Sequence, residues 1–295
     1  MTALEFVLPG DPATRTGGYE YDRRIVAGLR ARGWTVRVHA LGDSFPRPTA
    51  ADAEDAQRRF AGFPDGALVL VDGLAYGALP GIAARESPRL RLVALVHHPL
   101  AAETGLAPDL RAQLFASERA ALEHARRVVV TGSGTARELR DYGVEPARID
   151  VVEPGTDPVP ASPGSGGAAP RLLCVATLTP RKGHLDLLEA LAPLAPLPWT
   201  LDCVGSVTRD AAHAARVATR IDRLGLAGRV RLPGELAEDA LAAAWSRADV
   251  YVSAAAYEGY GMAVAEALAR GLPVVATRVG AAERLVGDAC GRLVP

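Results

Sequence analysis

Lysine is almost missing from this 295-residue chain: of its 33 basic residues only Lys182 is a lysine, and the rest are arginines. Other things are scarce too. The 33 basic and 34 acidic residues leave a net charge of −1, so the basic excess that bulk nucleic-acid binding needs is absent. There are three cysteines, Cys174, Cys203 and Cys290, and their spacing fits neither a disulfide framework nor a thiolate metal site. They read as small buried residues of a reducing cytosol. No apolar run is long enough to serve as a leader or a membrane span. Leu4–Leu8 is short and ends in Pro9-Gly10-Asp11, while residues 67–84 are broken by Asp72, several glycines and Pro80. There is no Asp-x-Asp pair or other carboxylate clamp for a divalent ion. The expectation is a cytoplasmic protein with no bound metal and no cofactor.

What is present is the alternation of a doubly wound α/β protein. Short runs rich in β-branched residues (4–8, 35–41, 67–71, 90–96, 128–130 and 149–153) alternate with amphipathic stretches such as 19–32 and 109–126. Residues 158–170, PVPASPGSGGAAP, are proline, glycine, serine and alanine almost throughout and read as a linker. The pattern then restarts, with strands at 171–176, 199–204, 229–232, 249–253 and 272–276. The expectation is two Rossmann-like parallel-sheet domains, 1–157 and 171–295, facing across a cleft of the kind ligands prefer. An arginine cluster on the first helix (Arg23, Arg24, Arg30, Arg32) reads as a solvated face, with peripheral contact to an anionic membrane surface as the alternative.

The most informative stretch is Tyr257-Glu258-Gly259-Tyr260-Gly261-Met262, which joins the strand at 249–253 to an Ala/Leu-rich helix. A glycine turn there lets backbone amides at a helix N-terminus approach an anionic ligand. Glu258 precedes the helix and Glu266 lies about a turn inside it, among Met262, Ala263, Ala265, Ala267, Leu268 and Ala269. A carboxylate with such neighbours is costly to bury unless donors satisfy it, and sugar hydroxyls are donors. The alternative is an ordinary solvated helix glutamate.

Lys182 ends the loop Thr177-Leu178-Thr179-Pro180-Arg181-Lys182, between a strand and a helix. In a chain that otherwise writes every cation as arginine, a compact ammonium in this place suggests a tight phosphate contact. Gly17-Gly18 follows the first strand, and His97-His98 follows the strand at 90–96. Each is also compatible with a plain structural role. Gly132-Ser133-Gly134 resembles a dinucleotide fingerprint, but Arg137 replaces its third glycine.

The Glu258-x7-Glu266 spacing within AYEGYGMAVAEALARGLPVVAT resembles the signature of retaining glycosyltransferases of family four, which have the GT-B architecture. The resemblance runs from Gly17 to the end of the chain. It implies that Glu266 holds the ribose of a nucleoside-diphosphate sugar and that Glu258 contacts the donor sugar. It further implies that the turn Gly259, Tyr260, Gly261 and Met262 receives sugar and diphosphate, with Gly17 and Gly18 beside them. Lys182 matches the family's diphosphate lysine. The family's arginine earlier in that loop is Thr177 here, so Arg181 is the candidate substitute. A histidine after the fourth strand, His97 or His98, reaches the sugar, with His97 favoured.

These residues imply a metal-independent, retaining sugar transfer to an acceptor of unassigned identity: glycan, lipid or small molecule. The rival readings are an inactive nucleotide-sugar-binding or assembly subunit and, more remotely, an NAD-dependent oxidoreductase. The sequence also stops at Leu293-Val294-Pro295, before the crossover helix with which the family usually ends. Either the crossover is absent or the sequence is a fragment, and its absence is what makes the inactive-subunit reading available.

Overall fold

The computed structural model describes residues 2–295. The chain divides between Pro154 and Gly155 into two compact units, each built on a six-stranded parallel sheet. In the first unit the strands are β1 (Ala3–Pro9), β2 (Thr35–Leu41), β3 (Leu68–Asp72), β4 (Arg91–Val96), β5 (Arg127–Val130) and β6 (Ile149–Val151), in spatial order β2-β1-β3-β4-β5-β6. Helices α1 (Gly17–Ala31), α2 (Ala50–Ala61), α3 (Gly73–Tyr76), α4 (Pro80–Glu86), α5 (Pro108–Glu123) and α6 (Ser133–Glu138) connect them.

Both faces of this sheet are covered, as parallel pairing requires. Along β1, Leu4, Phe6 and Leu8 enter one core cluster and Val7 the other; β3 and β4 divide their side chains in the same way. That alternation is the two-residue strand period, and it fixes the register, because a slip of one residue would exchange the faces. Glu5 breaks the apolar pattern of β1. It is buried, and its carboxylate is held by Arg37 and His39 on β2.

The second unit has β7 (Arg171–Val175), β8 (Thr200–Val204), β9 (Val230–Gly234), β10 (Val250–Ser253), β11 (Val274–Thr277) and β12 (Gly291–Val294), ordered β12-β11-β10-β7-β8-β9. Its helices are α7 (His184–Leu191), α8 (Ala211–Arg223), α9 (Glu238–Arg247), α10 (Met262–Ala269) and α11 (Ala282–Leu285). Cys174, Leu201, Cys203 and Val252 pack on one face of the sheet, and Leu173, Val204, Tyr251 and Val274 on the other. Each unit is thus a doubly wound Rossmann-like domain, as the alternation of strand and helix patterns implies.

The strand orders locate the ligand edges. Chain direction across the sheet reverses between β1 and β3 in the first unit and between β7 and β10 in the second. At such switch points adjacent loops diverge to opposite faces and leave a crevice at the carboxyl ends of the strands.

Two details differ from the sequence reading, and a third refines it, since Arg24, Arg30 and Arg32 are exposed as a solvated face implies. The segment 158–170, read as a linker, is bonded to the second unit over much of its length. Ser162 Oγ lies 2.9 Å from the carbonyls of both Trp245 and Ser246 and 3.2 Å from that of Ala248, and Ser162 N donates to Arg270 O at 2.8 Å. Asp249 accepts from the amides of Ser165 and Arg171, both at 2.8 Å. Carbonyls at a helix end lack partners within the helix, and Ser162 supplies one to the end of α9. Cys290 is only half-buried, unlike Cys174 and Cys203. Finally, Arg23 and Arg24 are engaged by Glu20, and Arg30 donates to Val36 O. Three of the four arginines in the α1 cluster are therefore bonded within the protein. Among the described residues no helix is long and apolar enough to cross a membrane.

Candidate active site

In the second unit, β7 and β10 are neighbours, with Val250 opposite Leu172 and Tyr251 opposite Leu173. The loops that leave their carboxyl ends therefore lie side by side, one carrying Arg181 and Lys182 and the other Glu258 to Gly261. Two contacts lock them together. Ala256 N donates to Arg181 O at 2.8 Å. Gly183, in the left-handed region at φ 64°, lies so close to the Ala254 carbonyl that a Cβ there would fall 1.8 Å from its oxygen. Only glycine satisfies both the conformation and the space.

This junction brings the charged groups together. Lys182 Nζ is 2.5 Å from Glu258 Oε1, Arg181 Nη1 is 3.6 Å from Glu258 Oε2, and Arg181 Nη1 donates to Tyr257 O at 3.0 Å. The three charged side chains are each 17% exposed, so they are held in place yet open to a ligand. The loop after β11 supports the Glu258 turn from the other side. Ala281 N donates to Tyr260 O at 2.8 Å, Thr277 Oγ1 donates to Ala255 O at 2.5 Å, and Gly280 packs against Glu258 and Tyr260. Sequence reasoning passed over Thr277 and Gly280. The signal available was a Thr-x-x-Gly run directly after a strand, beside the strand that carries the motif.

Gly261 caps α10 in the left-handed region, at φ 100°, and a Cβ there would meet only the Val264 side chain, at 3.8 Å. Its requirement is conformational rather than one of crowding. Met262 opens α10, and Glu266 lies half-buried one turn in, with its carbonyl accepting from Arg270. Both glutamates act on Tyr251: burial pushes this phenol up first, and the charges of Cys174, Glu258 and Glu266 add to it.

In the first unit, Gly17 and Gly18 open α1 beyond β1, and Gly18 faces the His97 ring, where a Cβ would lie 3.3 Å from Cδ2. His97 follows β4. Its Nε2 is 3.0 Å from Asp22 Oδ1 and 3.3 Å from Asp72 Oδ2. Burial alone would lower this imidazole, but hydrogen bonds and charge from Asp22 and Asp72 outweigh it and push it up to about 10. His98 lies 3.7 Å from Glu103 instead. The geometry therefore groups His97, not His98, with the Gly17-Gly18 loop. Asp22 and Asp72 escaped the sequence reading, because they sit 75 and 25 positions before His97 and no local pattern joins the three. These three side chains converge at the imidazole proton, and the hydrogen bonds among them account for their closeness. The Gly132 turn follows β5, away from the switch point, where a dinucleotide fingerprint would have no crevice.

Comparison with known proteins bears on the family and the fold. Residues 20–159 match the family described as Glycosyltransferase Family 4, and residues 169–295 match Glycosyl transferases group 1. An MMP alpha-(1->4)-mannosyltransferase of Mycolicibacterium hassiacum is 30% identical over 219 residues, which cover 69% of this chain and 52% of that protein. A D-inositol 3-phosphate glycosyltransferase of Geodermatophilus obscurus is 34% identical over 199 residues, covering 61% of this chain and 44% of the relative. The chain thus spans about half the length of the curated relatives it matches. Among solved structures, sucrose-phosphate synthase from Thermosynechococcus elongatus superposes with a TM-score of 0.83 at 21% identity, over 100% of this chain and 86% of the other. Anabaena HepE, in complex with UDP and glucose, gives 0.75 at 20% identity, over 98% and 85%. At such identities the likeness speaks for the fold, which is GT-B. The Family 4 match falls almost wholly on the first unit and the group 1 match on the second.

Proposed function

We propose that the protein transfers a sugar from a nucleoside-diphosphate sugar to an acceptor, with retention of anomeric configuration and without a metal ion. The observation that carries the reading is the meeting of Lys182, Arg181 and Glu258 at the β7/β10 switch point, beside the N-terminus of α10. A diphosphate needs positive charge and free amides, and both are provided there. A sugar needs hydrogen-bond acceptors for its hydroxyls, and Glu258 is one.

In this reading Lys182 and Arg181 take the diphosphate, and their charge stabilises the leaving nucleotide as the glycosidic bond breaks. Glu266 holds the ribose hydroxyls. The turn Gly259, Tyr260, Gly261 and Met262 receives the sugar and phosphate oxygens. The family resemblance assigns His97, Gly17 and Gly18 to the donor as well. Retention follows from the likeness of Glu258-x7-Glu266 to the retaining family. Metal independence follows from charge balance, since two side-chain cations meet the diphosphate where other enzymes use a divalent ion.

Donor turnover or transfer, measured with and without EDTA, tests this. Activity should survive chelation. Complete loss on chelation, restored by Mg²⁺ or Mn²⁺, would contradict the metal-independent reading. Nucleotide binding without any turnover, across donors and acceptors, would favour a binding subunit.

A further inference from the structure

We propose that Asp22 and Asp72 are positioning residues for His97: together they hold its Nε2 and fix the ring as an imidazolium, leaving Nδ1–H as a permanent outward donor. Neither aspartate belongs to the motif or loops described above. Asp22 sits on α1, is 2% exposed, and offers Oδ1 to His97 Nε2 at 3.0 Å. Asp72 ends β3, is 4% exposed, caps α3 through Oδ1 on Leu74 N at 2.8 Å, and turns Oδ2 towards the same Nε2 at 3.3 Å. Both anchors use one ring nitrogen, so the polar atom left for a ligand is Nδ1, on a side chain that is 19% exposed.

Two buried carboxylates need a counter-charge, and the imidazolium is the one they share. Asp22 Oδ2 is buried without a partner, and burial pushes this carboxyl up, with Asp72 adding to the rise and His97 opposing it. Losing the His97 proton would leave both anions uncompensated. Among the described residues Arg23 also acts on Asp22, but less than His97 does. The Tyr21 ring stands edge-on to His97 at 5.5 Å, and Thr131 Oγ1 donates to the His97 carbonyl at 3.3 Å. Arg23, next to Asp22, is spent on Glu20 and on the carbonyls of Pro12 and Thr14. His98, on the same turn, faces Glu103.

An imidazole that titrates near pH 6.5 would lose half its donors in the physiological range. A fixed imidazolium does not. The claim that Nδ1–H meets the donor rests on the glycosyltransferase reading. The charge state and the role of the two aspartates do not.

The test is a pH titration of the intact, ¹⁵N-labelled chain, following the imidazole nitrogens by NMR and assigning His97 among the six histidines by its loss in His97→Gln. In the unaltered protein both His97 nitrogens should stay protonated from pH 6 to beyond 9. Asp22→Asn and Asp72→Asn should each lower the midpoint, by about two pH units or more for the stronger partner, towards the ordinary value near 6.5. Asp72→Glu should restore part of the shift. A midpoint near 6.5 in the unaltered protein, or one unmoved by either asparagine variant, would overturn the proposal. In parallel, donor turnover by Asp72→Asn should fall at least tenfold from pH 6 to 9, with the parent flat over that range. If the titrations come out as expected but His97→Gln turns over donor as the parent does, the fixed imidazolium stands and its assignment to the sugar fails.

Discussion

Lys182 Nζ and Glu258 Oε1 are 2.5 Å apart, although 76 residues separate them in sequence. The contact exists because β7 and β10 are neighbours across the switch point. In the proposed reading, Glu258 holds the ammonium that a phosphate oxygen of the donor would take. On that reading, donor binding exchanges one anion for another at Lys182, with measurable consequences.

The first concerns Glu258→Gln. Removing the internal anion frees Lys182, so plain nucleoside diphosphate should bind this variant at least as tightly as the parent, while sugar transfer falls. Titration calorimetry with the nucleoside diphosphate, set beside turnover of the sugar donor, checks both halves. A loss of diphosphate affinity as large as that of Lys182→Ala would show that Glu258 holds the site together rather than competing in it.

Lys182→Arg keeps the charge but puts a wider, planar head into a side-chain position that is 17% exposed and bounded by Glu258. The variant should fold normally and lose much of its diphosphate affinity. Lys182→Ala should lose more, on the order of 10- to 100-fold for a charge-assisted bond worth roughly 1.5–3 kcal/mol. The bare nucleoside should bind all three proteins alike. Equal diphosphate affinity in Lys182→Arg would make the single lysine an accident of composition.

Away from the site, Glu118 sets a pH dependence of stability. It is 1% exposed, with Oε2 accepting from Leu100 N at 2.8 Å and Oε1 buried without a partner. Burial pushes its carboxyl up to about 8, against the opposing backbone bond. The folded state therefore holds this proton more tightly than the unfolded chain, whose glutamate titrates near 4.3. Glu118's contribution to stability is full below about pH 4 and drains away as pH rises to about 8, at roughly 1 kcal/mol per pH unit. Glu118→Gln should flatten that slope in urea denaturation at pH 5, 6.5 and 8. An unchanged slope would contradict the burial account.

The segment between the units gives a fourth test. The bonds of Ser162, Ser165 and Arg171 to the second unit mean that residues 162–171 are docked, whereas 155–161 are almost all exposed. Limited proteolysis with an unspecific protease should cut first within 155–161 and leave the second unit with its strap attached. First cleavage at 163–169 would show the strap to be loose.

That strap also shows where the sequence stops being legible. The composition of PVPASPGSGGAAP marks a boundary, and the boundary is there, but composition does not say which residues find partners. Ser162 is needed because α9 ends with carbonyls that require donors, a condition created 83 to 86 residues later. Central strands such as β1, β3 and β4 were readable because they are buried on both faces and so written as apolar runs, whereas β2, β6, β9 and β12 are partly exposed. Glu258, Glu266 and Lys182 were readable because a carboxylate in an Ala-rich helix and a sole lysine break the local rule. Asp22 and Asp72 break no such rule, as an aspartate within a helix or at a strand's end is ordinary. Only the β1-β3-β4 adjacency brings them to His97.

The central claim is that the β7/β10 edge binds a nucleoside diphosphate through Lys182. Thermal melting of the intact chain with UDP, GDP, ADP, their nucleosides and NAD, repeated on Lys182→Ala, tests it most directly, because a ligand that binds only the folded state raises its melting temperature. At least one nucleoside diphosphate should raise it well above its own nucleoside, and Lys182→Ala should erase that difference. A response to NAD alone, or a diphosphate shift that Lys182→Ala leaves unchanged, would contradict the account.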